Sequence, residues 1–158
     1  MKKLLLIRHA KAEKDTSVKD IERPLKYTGI QDARFMAERL KENSLIPQLI
    51  ITSPALRTKT TAEIFTDHLL LPEPVTEKAI YEASQQTLLR VINKFPTQHD
   101  FIALVGHNPG ISQILYYLTG EEREVHTSTV ALVEFETDDW KAISGDTGKL
   151  VYYSSPKE

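Results

Sequence analysis

The chain has no cysteine, so disulfides, thiolate nucleophiles and thiolate metal sites are excluded. No apolar run is long enough to span a bilayer. The run Leu4-Leu5-Leu6-Ile7 behind Met1-Lys2-Lys3 stops at Arg8, too early for the apolar core of a signal peptide. An excess of positive charge is missing too. Lys and Arg number 20 against 22 Asp and Glu, a formal net charge of −2, which argues against a protein held to nucleic acid by bulk electrostatics. There is no repeat, low-complexity tract or linker. With 41% hydrophobic and 27% charged residues, the composition is that of a soluble globular protein. The length of 158 residues predicts a single domain over 1–158 with a sizeable core. Absence of cysteine is compatible with a reducing cytoplasm, the expected location.

What is present is a set of short apolar runs that end in polar signatures. Lys3 to Ile7 reads as a buried strand followed by Arg8-His9-Ala10. A polar loop, Lys11 to Pro24, leads to Thr28-Gly29-Ile30-Gln31, which has capping-box spacing and predicts a helix over about 29–42. Leu49 to Thr52 is a second strand. Ser53-Pro54 after it predicts an N-cap and first helical residue, with the helix reaching about Leu70. Val75 to Tyr81 is expected to be extended, and Gln85 to Phe95 helical. Phe101 to Val105 is a third strong strand. Gly106-His107-Asn108-Pro109-Gly110 repeats the cap-plus-proline device before a helix to about Leu118. Thr129 to Glu136 alternates as a strand should, and Trp140 to Ser144 with Lys149 to Tyr153 flank a hairpin turn signal. Strands alternating with helices predict a three-layer α-β-α fold on a mainly parallel, mixed sheet.

In a parallel sheet the three polar signatures share one edge, where open α/β sheets bind ligands. Arg8 and Arg57 are permanent cations that fork onto oxyanions. Arg57 sits in the first turn of its helix, where the dipole already presents positive charge, so a bound anion explains its position better than chance. His9 and His107 join them. Each alone reads as an ordinary histidine; together with two arginines they read as a phosphate pocket. A neutral His9 attacks phosphorus. Arg8, Arg57 and a protonated His107 hold the equatorial oxygens, and water then hydrolyses the phosphohistidine. A metal site is disfavoured because no carboxylate has ligand spacing and two arginines repel a cation. No cofactor is expected.

Arg8-His9-Ala10, Ser53-Pro54-Ala55-Leu56-Arg57 with Thr60-Thr61-Ala62-Glu63, and Gly106-His107-Asn108 resemble the histidine phosphatase superfamily, the phosphoglycerate mutase-like fold. The resemblance implies His9 as nucleophile, with Arg8, Arg57 and His107 completing the phosphate pocket. Arg23-Pro24-Leu25 before Thr28-Gly29, the short chain, and Gly106 to Ser112 resemble the SixA-type phosphohistidine phosphatases within it. Sugar-phosphate mutases of the superfamily carry insertions over the pocket for which this chain has little room. An open site suits a phosphorylated protein side chain. The chain departs from many relatives in having Ala10 where they have Gly. Near the place where larger relatives carry a phosphate-contacting Asn it has Asp15, a carboxylate given no binding role.

The expected activity is therefore a metal-independent phosphatase, acting on phosphohistidine in a protein. The same chemistry on a small phosphomonoester and a phosphate-recognition module without turnover are the alternatives. The family often uses a Glu as general acid, and Glu82 in Ile80-Tyr81-Glu82-Ala83 is the candidate; a solvated Glu at a helix start is the competing reading. Arg23 is a candidate substrate contact from the loop after His9, against a role in anchoring that loop to backbone carbonyls. Lys11 and Lys14 read either as a basic rim or as solvated side chains. A hydroxyl of Thr127-Ser128-Thr129 is a weaker candidate for the phosphate.

Overall fold

The computed structural model describes residues 1–14 and 17–156, so Asp15 lies outside the described residues. The apolar runs form strands β1 (Lys2–Arg8), β2 (Leu49–Thr52), β3 (Val75–Thr76), β4 (Phe101–Gly106), β5 (Val130–Phe135) and β6 (Gly148–Ser154). Helices α1 (Tyr27–Glu42), α2 (Leu56–Leu69), α3 (Gln85–Asn93) and α4 (Gly110–Thr119) lie between them. The strands make one six-stranded sheet in the order β3-β2-β4-β1-β5-β6. All pairings are parallel except the two that β5 makes, with β1 and β6. Only β5 therefore runs against the rest, and the sheet is mixed but mainly parallel, as the strand–helix alternation predicts.

Alternating side chains of the same strands feed two cores, as the two-residue period of a strand requires. Leu5, Ile7, Ile50, Ala103 and Val105 pack with α1 (Ala33, Met36, Ala37, Leu40) and α2 (Ala62, Phe65, Leu69). Leu4, Leu6, Ile51, Ile102 and Leu104 face α3 (Leu88, Val91, Ile92) and α4 (Ile111, Ile114, Leu115, Leu118). The helices thus cover both faces and complete the three layers. β1 and β4 are neighbours, yet the chain after β1 leads to α1 on one face, while the chain after β4 enters α4 on the other. Adjacent parallel strands whose continuations part in this way open a crevice at their carboxyl ends.

Several local readings need correction. α1 begins at Tyr27 behind Lys26, with no side-chain cap; the Thr28 capping box is not used. α2 begins at Leu56 behind Ala55, so Ser53-Pro54 is a turn before the helix rather than its cap. At α4, Pro109 is itself the N-cap residue, and Asn108 Oδ1 accepts from the backbone N–H and hydroxyl of Ser112. Val75 to Tyr81 is extended only at β3 and then forms a 3₁₀ turn over Lys78–Ile80. Trp140 to Ser144 is not a hairpin strand. Trp140–Ala142 forms a 3₁₀ turn that buries the indole, because Trp140 Nε1 reaches His99 O at 2.9 Å and its ring packs against Phe95. β6 pairs with β5 instead.

The loop after His9 is tied to α1. Ala12 bridges Leu25, and Lys26 N–H donates to Lys11 O. At Gly29 a Cβ would stand 2.1 Å from Lys11 O, so only glycine allows the loop to lie on the helix. Gly29→Ala is expected to lower stability by about 1–3 kcal/mol, measured as a lower urea midpoint with an unchanged slope. A midpoint equal to wild type would contradict this packing.

Candidate active site

β1 and β4 pair in a register that sets Arg8 opposite Gly106. The next residues, His9 and His107, therefore emerge side by side, their ring centroids 5.4 Å apart. His9 is buried, and its N–H donates to Gly106 O at 3.1 Å. Its Nδ1 lies 2.7 Å from Ala10 O. A carbonyl only accepts, so Nδ1 carries the ring proton and Nε2 keeps the free lone pair. Ala10 is held in turn by its N–H on Thr61 Oγ1, which donates to Arg57 O. One hydroxyl thus joins the His9 segment to the first turns of α2.

His107 Nε2 is 2.8 Å from Ser53 Oγ, which also accepts from Ala55 N–H. The turn that displaces the start of α2 leaves Ser53 free for this contact. When Ser53 donates to Nε2, His107 presents Nδ1–H. That nitrogen is buried and has no partner among the described residues. Burial, then the Arg57 and Arg8 charges, push His9 down to about 4 despite its bond to Ala10 O. Burial, then His9 and Arg57, push His107 down to about 3. Both rings are neutral at pH 7. For His9 that matches a nucleophile. For His107, burial first and then its charged neighbours leave a neutral donor in the crevice without an anion; the imidazolium expected from the sequence is that of the phosphate-bound site.

Arg57 is 7% exposed and projects from the first turn of α2. Its Nη1 donates to Asp20 O at 2.7 Å and its Nη2 to Asp20 Oδ2 at 3.1 Å. Arg8 Nη1 donates to Val125 O, as does Asn108 Nδ2. Six buried side-chain N or O atoms lack a protein partner among the described residues; five belong to Arg8, Arg57, His107, Ser128 and Thr129. These residues all lie at the carboxyl edge of β1 and β4 or beside it. Buried donors are normally satisfied, so Arg8 Nε, Arg57 Nε and His107 Nδ1 are donors still in want of an acceptor.

Two parts of this site, Asp20 and Tyr81, were given no role in the sequence. Asp20 stands in a 3₁₀ turn, Asp20–Glu22. Its carboxylate accepts from Arg57, from Arg23 Nε at 3.0 Å and from the Tyr81 hydroxyl at 2.6 Å. Those donors, Tyr81 foremost, hold it down at about 2. The spacing Asp20-x-x-Arg23 was the available signal. Tyr81, the second, stacks edge-on to His107 at 5.6 Å. The weaker hydroxyl candidates of the sequence include Ser128. It is buried at φ +63, a left-handed conformation that is costly for a residue with a Cβ. Its N–H donates to both Arg8 O and His9 O.

The remaining candidates fall as follows. Arg23 Nη1 donates to Glu13 O at 2.6 Å and its Nε is spent on Asp20, so it anchors the loop. Glu82 is exposed at φ +55. It lines a cavity of about 480 Å³ with Asp20, Arg57, Tyr81, His107 and Gln113. A Cβ at Gly110 would stand 2.9 Å from Ala83 O, so the segment carrying Glu82 rests directly on the start of α4. No helix is long and apolar enough to cross a membrane, among the described residues.

The two histidines give stability a pH dependence. Their folded values, about 4 and about 3, lie below the ordinary 6.5. Between those limits the unfolded chain binds more protons, so stability rises with pH. It is complete above about 6.5 and lost as pH falls towards the folded values. Asp20 acts lower, with stability present above its ordinary 3.8 and lost as pH falls through about 2. Urea midpoints are expected to fall from pH 7 to pH 4.5, and a His9→Gln/His107→Gln variant to show a flatter profile there. Equal slopes in the two proteins would contradict the buried neutral rings.

The fold agrees with what is found on comparison with known proteins. The sequence pattern of the histidine phosphatase superfamily (branch 1) matches residues 4–88. An uncharacterized chloroplastic protein of Arabidopsis thaliana is 29% identical over 161 residues, covering 93% of this chain and 74% of the relative. Among solved structures, a candidate phosphohistidine phosphatase SixA from Agrobacterium tumefaciens superposes with a TM-score of 0.85 at 24% identity, covering 98% of each chain. The protein histidine phosphatase SixA complexed with tungstate superposes with a TM-score of 0.80 at 24% identity, covering 98% of this chain and 97% of that one. These structures share the fold. The superfamily pattern spans β1, α1, β2 and α2 and so takes in Arg8, His9 and Arg57. The chain belongs to the histidine phosphatase superfamily.

Proposed function

We propose that this chain is a metal-independent phosphohistidine phosphatase, with residues 1–158 acting as one catalytic domain and His9 Nε2 as the nucleophile. The single observation that carries the reading is the 2.7 Å contact of His9 Nδ1 with Ala10 O. It fixes the proton on Nδ1 and leaves Nε2 unprotonated. Nε2 attacks phosphorus, and the bond to the leaving group breaks as the N–P bond forms. The ring gains positive charge on phosphorylation, and the Ala10 carbonyl is in place to stabilise it. Arg8, Arg57 and His107 supply donors to the equatorial oxygens, where transition-state charge is spread. Water then attacks phosphorus, phosphate departs, and His9 returns to its neutral tautomer.

The substrate class follows from the leaving group. An alkoxide must be protonated as it departs. An N-phosphorylated imidazole, protonated on its far nitrogen, leaves as a neutral ring. Glu82 is the general-acid candidate for oxygen esters, but it is exposed and makes no side-chain hydrogen bond in the described structure. A phosphohistidine does not depend on it. The partner is accordingly a histidine-phosphorylated protein. The names of the SixA structures support this choice, as does the short loop system around the crevice. A cytoplasmic location belongs to the same reading, and the lack of cysteine is compatible with it.

Turnover of a histidine-phosphorylated protein in the presence of EDTA tests the reading. Wild type is expected to release phosphate, and His9→Ala to show none. Arg57→Ala is expected to lose at least about 10²-fold in kcat/KM, in line with removal of one transition-state donor. Glu82→Gln is expected to spare phosphohistidine turnover. Full activity in His9→Ala, or loss of activity in EDTA, would contradict it. Tungstate is expected to raise the melting temperature of wild type, and to do so much less for Arg8→Ala.

A further inference from the structure

We propose that Asp20 is a specificity-determining residue that selects a nitrogen leaving group, the neutral imidazole released from a ring-protonated phosphohistidine, over an oxygen one. The assignment rests on the phosphatase reading above and deepens it. His9 lies inside the crevice, whereas the Asp20 carboxylate is 53% exposed. It lines the cavity that opens outward past Arg57, Tyr81 and His107. In-line displacement requires the leaving atom to depart on the side away from the attacking nitrogen. We place that side at the exposed edge of the cluster, where Asp20 is bound to Arg57 and to Tyr81, whose ring packs edge-on against His107.

The carboxylate is fixed there. Its Oδ2 accepts from Arg57 and Tyr81, and its Oδ1 from Arg23. A carboxylate offers about four acceptor positions, so one remains, on Oδ1. Asp20 is also an anion fastened to the arginine that holds phosphate, which makes it poorly placed merely to greet a dianion. Its value lies in the other half of the substrate. A phosphohistidine breaks easily when the far ring nitrogen is protonated: the bonding pair of the N–P bond goes to the departing nitrogen, and the ring leaves neutral. A carboxylate that accepts from that N–H favours the protonated ring. Beside a departing oxygen the same ionised carboxylate has no proton to give and repels the negative charge that develops.

The experiment compares kcat/KM for N-phosphohistidine and for p-nitrophenyl phosphate in wild type, Asp20→Asn and Asp20→Glu, with melting temperatures as the fold check. Asp20→Asn is expected to weaken both activities, since Arg57 loses a charged partner. The nitrogen substrate should lose about tenfold more than the oxygen one, the scale of one hydrogen bond to a charged group. Asp20→Glu is expected to recover most of that ratio. Asp20→Ser is read in the same way if the amide variant does not fold. Equal losses on the two substrates would show Asp20 to be only a prop for Arg57 and overturn this assignment alone. A wild type that turns over p-nitrophenyl phosphate but not N-phosphohistidine would overturn the phosphohistidine reading, and this assignment with it.

Discussion

The parallel pairing of β1 with β4 is the constraint on which the site depends. In the observed register Arg8 faces Gly106, so both strands end level and release a histidine at the same height. A slip of one residue would turn Leu5 and Ile7 from one core to the other. That slip is blocked on both faces, because α1 and α2 need one set of side chains and α3 and α4 the other. The burial of ordinary aliphatic residues thus fixes the approach of His9 and His107. β5 then closes the far side of β1, where the strained Ser128 N–H caps the carbonyls of Arg8 and His9. The cost of that backbone conformation is met by the pairing around it.

Electrostatics then follow from geometry. Two imidazoles and two guanidiniums crowd one crevice, where desolvation comes first and their mutual repulsion adds to it. The rings give up their charge; the guanidiniums do not. Asp20 offsets Arg57 and Arg23 together, which makes the assembly tolerable without a bound phosphate and ties the loop after His9 to α2. Three polar contacts that tie this group together run between elements distant in sequence: Asp20 to Tyr81, Ser53 to His107, Ala10 to Thr61. The site is a product of the fold rather than of any one loop.

The sheet, its helices and the four residues Arg8, His9, Arg57 and His107 were legible because apolar runs and the polar signatures after them are local. Helix starts were less so. Ser53-Pro54 looks like a cap from its own spacing, but the Ser53 hydroxyl is used by His107, fifty-four residues away, and α2 starts later. Trp140 looks like part of a strand, but its indole is claimed by the core and by His99 O. Asp20 was missed because its neighbours in the chain are ordinary loop residues, and its importance comes from Arg57 and Tyr81. The lowered pKa of His107 was illegible for a related reason. Desolvation and the sum of nearby cations are properties of the folded crevice and have no signal in a motif.

The central claim is that His9 Nε2 becomes phosphorylated while Nδ1 stays bonded to Ala10 O. The most direct measurement is nuclear magnetic resonance of the phosphoenzyme, trapped under denaturing alkaline conditions with ¹⁵N-labelled histidine, reading which ring nitrogen couples to ³¹P. The account predicts a single phosphorylated ring, that of His9, bonded through Nε2. Phosphate on Nδ1 of His9, or on His107, would contradict it.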